Sequence, residues 1–187
     1  MNVVKAPEQH TSPEPFNYHH IKSDKLLPDD YLSTVMDNIV IKRTASTVPD
    51  FQLLITELDA DLRRRNGDIM DIYDGHNKLQ PLDTAVVIYM NDVPVCCGCF
   101  KSYSDDAVEV KRVYVRDEAR GKGFSKLLMK ELETWATEIG FRKTVLETGS
   151  QQQEALGLYT SLGYKRIPNY EPYIGLPDSV CFEKDLL

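Results

Sequence analysis

A strand that runs into a glycine-bearing turn, and out of it into an amphipathic helix, is the feature that most constrains this chain. The apolar-rich run Val108–Val115 leads through 116–119 into Arg120-Gly121-Lys122-Gly123-Phe124-Ser125. Beyond it Phe124, Leu127, Leu128, Leu132, Trp135, Ala136 and Ile139 recur at helical spacing, while Lys126, Lys130, Glu133, Thr137 and Glu138 fall mostly on the other side. Gly121 and Gly123 can take positive φ and admit a ligand to the backbone without an intervening Cβ. The first N–H groups of a helix have no internal acceptor, so a helix opened this way suits anionic oxygens. Each such hydrogen bond is worth about 1.5–3 kcal/mol and the helix dipole adds roughly 0.3–2 kcal/mol. Arg120 and Lys122 supply full charges beside these donors. The same residues also fit a surface turn whose glycines only start a helix and whose basic side chains are solvated.

Two common phosphate-binding patterns do not fit. A P-loop requires glycine at the place of Arg116 and Ser or Thr at the place of Gly123. The dinucleotide fingerprint requires a third glycine where Lys126 stands. The turn read as Arg120-x-x-Gly123-x-Ser125 instead resembles the acyl-CoA turn of the GNAT superfamily of N-acetyltransferases, Arg/Gln-x-x-Gly-x-Gly/Ala, with Ser125 a small-residue departure. Glu109–Val115 resembles the fourth strand of that family and Thr144–Thr148 the fifth. The segment Ala155-x-x-x-Tyr159-x-x-x-Gly163-Tyr164 is similar to its last helix and following strand. The resemblance runs from about residue 38 to the end.

The rest of the chain is compatible with that order of elements. Residues 1–37, with four prolines among polar residues, read as a flexible leader, and 38–187 as one domain. Asn38–Arg43 reads as a strand. Pro49 opens a helix carrying Phe51, Leu54, Ile55, Leu58 and Leu62, which Gly67 ends. Arg63, Arg64 and Arg65 in its last turn suit the helix dipole. Thr84–Met90 and Val95–Lys101 read as strands joined at Asn91-Asp92. Ser150 and Gln153 have the spacing of a capping box for the helix bearing Tyr159. Tyr164–Ile167 and Val180–Lys184 read as final strands, with a Tyr- and Pro-rich segment between them. The expected fold is α/β, with a mixed, mostly antiparallel central sheet flanked by helices; the resemblance adds that the fourth and fifth strands splay apart.

Composition narrows the partners. A net charge of −7, from 22 basic and 29 acidic residues, argues against a general nucleic-acid binder, and no apolar run reaches the ~20 residues of a membrane span. Without a secretory segment at the start, the expected place is the cytoplasm. Cys96, Cys97, Cys99 and Cys181 lack zinc spacing and read as buried thiols, so no metal is expected.

The resemblance implies an acetyl-CoA-dependent N-acetyltransferase, monomeric or homodimeric, that acts on a primary amine of a small molecule or peptide. The alternative is an acyl-CoA-binding regulatory module without turnover. Backbone groups at Val113, Tyr114 and Val115 are then expected along the pantetheine arm. The turn Arg120, Gly121, Lys122, Gly123, Phe124, Ser125 and Lys126 is expected to hold the diphosphate. Tyr159 matches the family's general-acid tyrosine; read by periodicity alone it is a core aromatic. Direct transfer needs a neutral amine, which for a lysine-like group at pH 7 costs about 4.6 kcal/mol and for an α-amine only about 1 kcal/mol. Glu109 is the candidate base, or else a polar strand residue facing solvent or paired with Lys111; Glu147 is the second candidate, as base or ammonium anchor. Tyr73, Tyr170 and Tyr173 are candidates for lining the acceptor site, with 168–178 as a lid.

Overall fold

The hairpin at Asn91-Asp92 forms as its residues demand. Both take positive φ, +52° and +64°, the backbone that a two-residue turn matching the twist of its strands requires. The computed structural model describes residues 38–67 and 80–186. The expectations for the leader 1–37 and for Tyr73 lie outside those residues. The described chain runs β1 (Ile39–Thr44), α1 (Pro49–Asn66), β2 (Ala85–Met90), β3 (Val93–Ser102), β4 (Ala107–Val115), α2 (Phe124–Glu138), β5 (Lys143–Gly149), α3 (Gln153–Ser161), β6 (Lys165–Ile167) and β7 (Ser179–Asp185), with a 3-10 turn at Asp117–Ala119 between β4 and α2. The strands form one sheet in the order β1-β2-β3-β4-β5-β7-β6. Every pairing is antiparallel except β4–β5. The mixed, mostly antiparallel α/β architecture is the expected one.

The alternation of side chains assigns the two faces of the sheet. Val86, Ile88, Phe100, Val108, Val110 and Leu146 turn to the face covered by α2 and α3, where they pack with Leu128, Leu132 and Tyr159. Ala85, Val87, Cys97 and Cys99 turn to the opposite face, against Phe51 and Leu54 of α1. All four cysteines are buried free thiols, and burial pushes the Cys99 thiol up to about 12, so none is poised as a nucleophile. Gly98 sits under α2. A Cβ there would lie 3.1 Å from Leu128 Cδ2 and 3.2 Å from Leu132 Cδ1, so its lack of a side chain lets the helix press close to the sheet.

β4 carries a bulge. Cys99 pairs with Lys111 and Cys97 with Tyr114, so Arg112 and Val113 together oppose Gly98. Arg112 takes φ +60°, a conformation costly for a residue with a Cβ. It is held there by two hydrogen bonds to the Asp59 carboxylate on α1, at 2.7 and 3.1 Å. Beyond the bulge Val113 again joins the α2-side core and Tyr114 the α1 side. The β4–β5 ladder closes only from Ala107–Lys143 to Val110–Leu146, whereas β4 runs on to Val115 and β5 to Gly149. The two strands therefore part after Val110 and Leu146, which is the expected splay.

Two local expectations need correction. α3 begins at Gln153 with no side-chain cap. The Ser150 hydroxyl is turned to Asp178 (3.4 Å) and the Gln153 amide donates to the Ser150 carbonyl (3.0 Å), so no capping box forms. On α2 the buried stripe contains Met129 rather than Ile139, which is 51% exposed. Glu133 lies on the half-buried side and accepts a hydrogen bond from Lys184 at 2.6 Å. The helix is thus rotated slightly from the position that apolar spacing alone indicates, because a charged partner on β7 stabilises Glu133 there.

Candidate active site

A cleft of about 250 Å³ lies between the end of β4, the glycine turn, α1 and α3; no residue of β5, and so not Glu147, is in its lining. Val113, Tyr114 and Val115 line it from β4, Arg120, Gly121, Gly123, Phe124 and Ser125 from the turn, and Ala155, Leu158 and Tyr159 from α3. The cofactor residues read from the sequence therefore converge on one cavity, apart from Lys122 and Lys126, which are not among its lining. Gly121 and Gly123 have φ +75° and +87°, and Gly123 is the residue that caps α2. The first intrahelical bond of α2 is Leu127 N–H to Gly123 O, 3.1 Å, so the N–H groups of Phe124, Ser125 and Lys126 precede the ladder. On the side of β4 that faces β5, the ladder between the two strands ends at Val110, and Val113 and Tyr114 lie beyond it. An extended polar arm fits such an edge, and a diphosphate fits the turn at its end.

The α1 end contributes to the same cleft through Leu58, Asp61, Leu62 and Arg65. Three acidic residues of α1 pair with three arginines on and after β4. Glu57 accepts from Arg116 at 2.6 and 2.8 Å, Asp59 holds Arg112, and Asp61 lies 3.3 Å from Arg120. Asp61 is also paired with Arg64 and, at 2.9 Å, with Arg65. Arg65 in turn bonds Glu154 on α3. Burial would raise the Asp61 carboxyl, but its arginine partners hold it below its ordinary value. Glu57, Asp59, Asp61, Arg112, Arg116 and Glu154 escaped the sequence reading, and Arg65 entered it only as a complement to the helix dipole. The i to i+4 spacing of Asp61 and Arg65 was available as a signal, but their position beside the glycine turn depends on the packing of α1.

The two candidate bases have opposite environments. Glu109 lies within the closed part of the ladder, opposite Val145, and is 1% exposed. Its Oε1 accepts from the hydroxyls of Tyr173 (2.9 Å) and Tyr170 (3.2 Å), and its Oε2 lies 2.9 Å from Lys101 Nζ. Lys111 Nζ is 3.5 Å from the same carboxylate and donates to the Tyr173 hydroxyl at 2.5 Å. Burial alone would raise Glu109, but Lys111, Lys101 and Tyr173 outweigh it and hold the group below the usual carboxylate value. Both of its oxygens are engaged by these partners, so taking up a proton would disrupt contacts already made. Glu147 is the first residue of β5 beyond the ladder, as Lys111 is of β4. Burial raises its carboxyl, and one hydrogen bond from the Ser179 hydroxyl at 2.6 Å, with the Lys111 charge, offsets this only in part. Glu147 is near enough to Tyr159 that its charge, after burial, pushes that phenol up.

Tyr170 and Tyr173 of the 168–178 segment turn inward. Both are buried, packing with Val145 and Cys181 on the same face as Glu109, while Tyr103, 4.9 Å from the Tyr170 ring, and Ile174 are exposed. Glu109 therefore anchors this segment. Replacing it with Gln leaves two lysines and two phenols facing a neutral amide. We expect a loss of about 2–3 kcal/mol of stability at pH 7, measured by denaturant unfolding. Because the folded value of Glu109 is lowered, its stabilisation is complete above the unfolded value and fades as pH falls through the folded one. The variant should lack that acid-side loss, below about pH 4; equal acid sensitivity would refute the anchoring role.

Residues 51–164 match the model of the Acetyltransferase (GNAT) family. The IAA acetyltransferase of Azospirillum brasilense is 29% identical over 81% of this chain and 100% of its own length. A Klebsiella pneumoniae protein assigned as an acyl-CoA N-acyltransferase superposes with a TM-score of 0.65 at 29% identity, over 81% of this chain and 99% of that one. A GNAT family acetyltransferase from Elizabethkingia anophelis, solved with acetyl-CoA bound, shares the fold at 16% identity and a TM-score of 0.57, over 80% of this chain and 99% of that one.

Proposed function

The chain belongs to the acetyltransferase (GNAT) family, and from that premise we propose that it moves an acetyl group from acetyl-CoA directly to a primary amine of a small molecule or peptide, with Glu147 as base and Tyr159 as acid. The observation that carries this assignment is the placement of Glu147. It is the first residue past the fork of the sheet, its carboxyl is raised by burial, and it acts electrostatically on Tyr159 in the cleft wall.

Acetyl-CoA supplies an activated acyl carbon. The residues do the rest. The edge of β4 at Val113–Val115, past the end of the ladder with β5, hydrogen-bonds the pantetheine arm, and the turn N–H groups with Arg120 and Lys122 hold the diphosphate. Glu147 takes a proton from the acceptor ammonium, leaving the nitrogen lone pair to form the C–N bond as the C–S bond breaks, and the second surplus proton on that nitrogen leaves to solvent water as the amide forms. Tyr159 gives its proton to the departing sulfur. The two transfers assist one another: burial is the larger cause of the raised Tyr159 phenol and persists, but once Glu147 is neutral its added contribution is gone, which favours proton release as the thiolate forms. Transfer of the proton from Glu147 to Tyr159, through water or product, restores both.

For Glu147→Gln we expect kcat to fall by about 10²–10³ with acetyl-CoA affinity retained. The wild-type rate should rise with pH through a value above the ~4.3 of an ordinary glutamate, and the variant should lose that limb. An unchanged pH–rate profile would return the base role to another group. The acceptor is found by incubating the protein with isotope-labelled acetyl-CoA and a panel of polyamines, amino acids, aminoglycosides and peptides, with products read by mass spectrometry. Tight CoA binding with no labelled product from any amine would favour a binding module instead.

A further inference from the structure

The end of α1 brings an unusual charge arrangement to the mouth of the cleft. Asp61 is shared by three guanidinium groups, those of Arg64, Arg65 and Arg120. Of the three α1–β4 contacts this is the loosest. Arg112 and Arg116 each make two hydrogen bonds to a single carboxylate. Arg120 makes one at 3.3 Å, divides itself between Asp61 and Asp117 (2.7 Å), and is 38% exposed. Its Nε is separately fixed by the Val115 carbonyl at 3.1 Å, so the guanidinium stays at the turn whichever anion it faces. Arg65 lies opposite, joining Asp61 on α1 to Glu154 on α3 across the same cavity.

We propose that Asp61 occupies, in the free protein, the place of a diphosphate oxygen, and that binding of CoA exchanges this carboxylate for phosphate on Arg120 and Arg65. The proposal rests on the acetyl-CoA reading above and adds α1 to the binding site: Arg65 becomes a second phosphate ligand, facing the turn. A carboxylate beside a diphosphate is repulsive, while two guanidinium groups released from it present planar donors matched to phosphate. The arrangement also balances the arginines around the cleft with carboxylates, so that they do not attract anions indiscriminately.

The test is calorimetric titration of full-length protein with CoA and, in parallel, with acetyl-pantetheine, which has no phosphate. Asp61→Asn should tighten CoA roughly fivefold, since it removes both the competing partner and the repulsion. Arg65→Gln should weaken CoA roughly tenfold. Neither should alter acetyl-pantetheine affinity, and the CoA effect of Asp61→Asn should shrink as salt is raised. Weaker or unchanged CoA binding in Asp61→Asn, or equal effects on the two ligands, would overturn the proposal. Gly123→Val separates this from the reading beneath it. If that variant loses CoA while Asp61→Asn is silent, only the exchange fails. If Gly123→Val binds CoA normally, or the wild type binds none, the placement of CoA fails and the exchange with it.

Discussion

Replacing Gly123 with valine is expected to remove CoA binding, with affinity falling by at least about a hundredfold while the domain stays folded. The reason is backbone geometry rather than space. A Cβ at Gly123 would meet nothing within 4 Å, but Gly123 stands at φ +87° in the left-handed region and caps α2. A β-branched residue there costs about 1–2 kcal/mol or more, and the chain relieves that strain by turning the peptide. Turning it re-aims the N–H groups of Phe124, Ser125 and Lys126, each worth about 1.5–3 kcal/mol against a charged oxygen. Gly123→Ala should show the same loss in smaller measure. Calorimetry gives the affinity and a thermal melt shows whether the fold survived; a normal dissociation constant in a folded valine variant would remove the turn from the site.

Replacing Tyr159 with phenylalanine should lower kcat by about 10²-fold or more and leave CoA affinity nearly unchanged. The ring has a packing role, with centroids 5.7 Å from Tyr164 and 5.9 Å from Phe182, and phenylalanine preserves it. Only the hydroxyl is lost. Burial and the Glu147 charge keep the phenol protonated at rest, so the wild type has its proton in place at any working pH. Steady-state kinetics with direct product detection, beside a binding measurement, separates the alternatives. Proportional loss of affinity, stability and rate would identify Tyr159 as a core aromatic. Combining the variant with Glu147→Gln should cost less than the product of the two single effects if the groups act together.

What could be read from the sequence follows from the range of the interactions involved. The turn, the helix after it and the Asn91-Asp92 hairpin are local features, set by residues a few positions apart, and they were legible. The relative standing of Glu109 and Glu147 was not. It depends on Tyr170 and Tyr173, more than sixty positions along the chain from Glu109, on Ser179 and on where the β4–β5 ladder stops. The bulge left no mark because Arg112, rather than a glycine, takes the positive φ, stabilised by a carboxylate fifty-three positions away. Ser150 and Gln153 had the right spacing for a cap, but Asp178 offered the serine another partner.

The bulge also fixes what kind of change this cleft tolerates. Arg112 is the extra residue between two stretches of β4 that pair regularly with β3. Removing it would leave Val113, Tyr114 and Val115 opposite the same partners and on the same faces, so the core would be unaltered. The strand, however, would lose its bend, and its outer edge would be free to continue the ladder with β5. The opening is thus written in chain length rather than in side chains. Loss of this one residue is therefore expected to narrow the cleft even with every side chain that lines it unchanged.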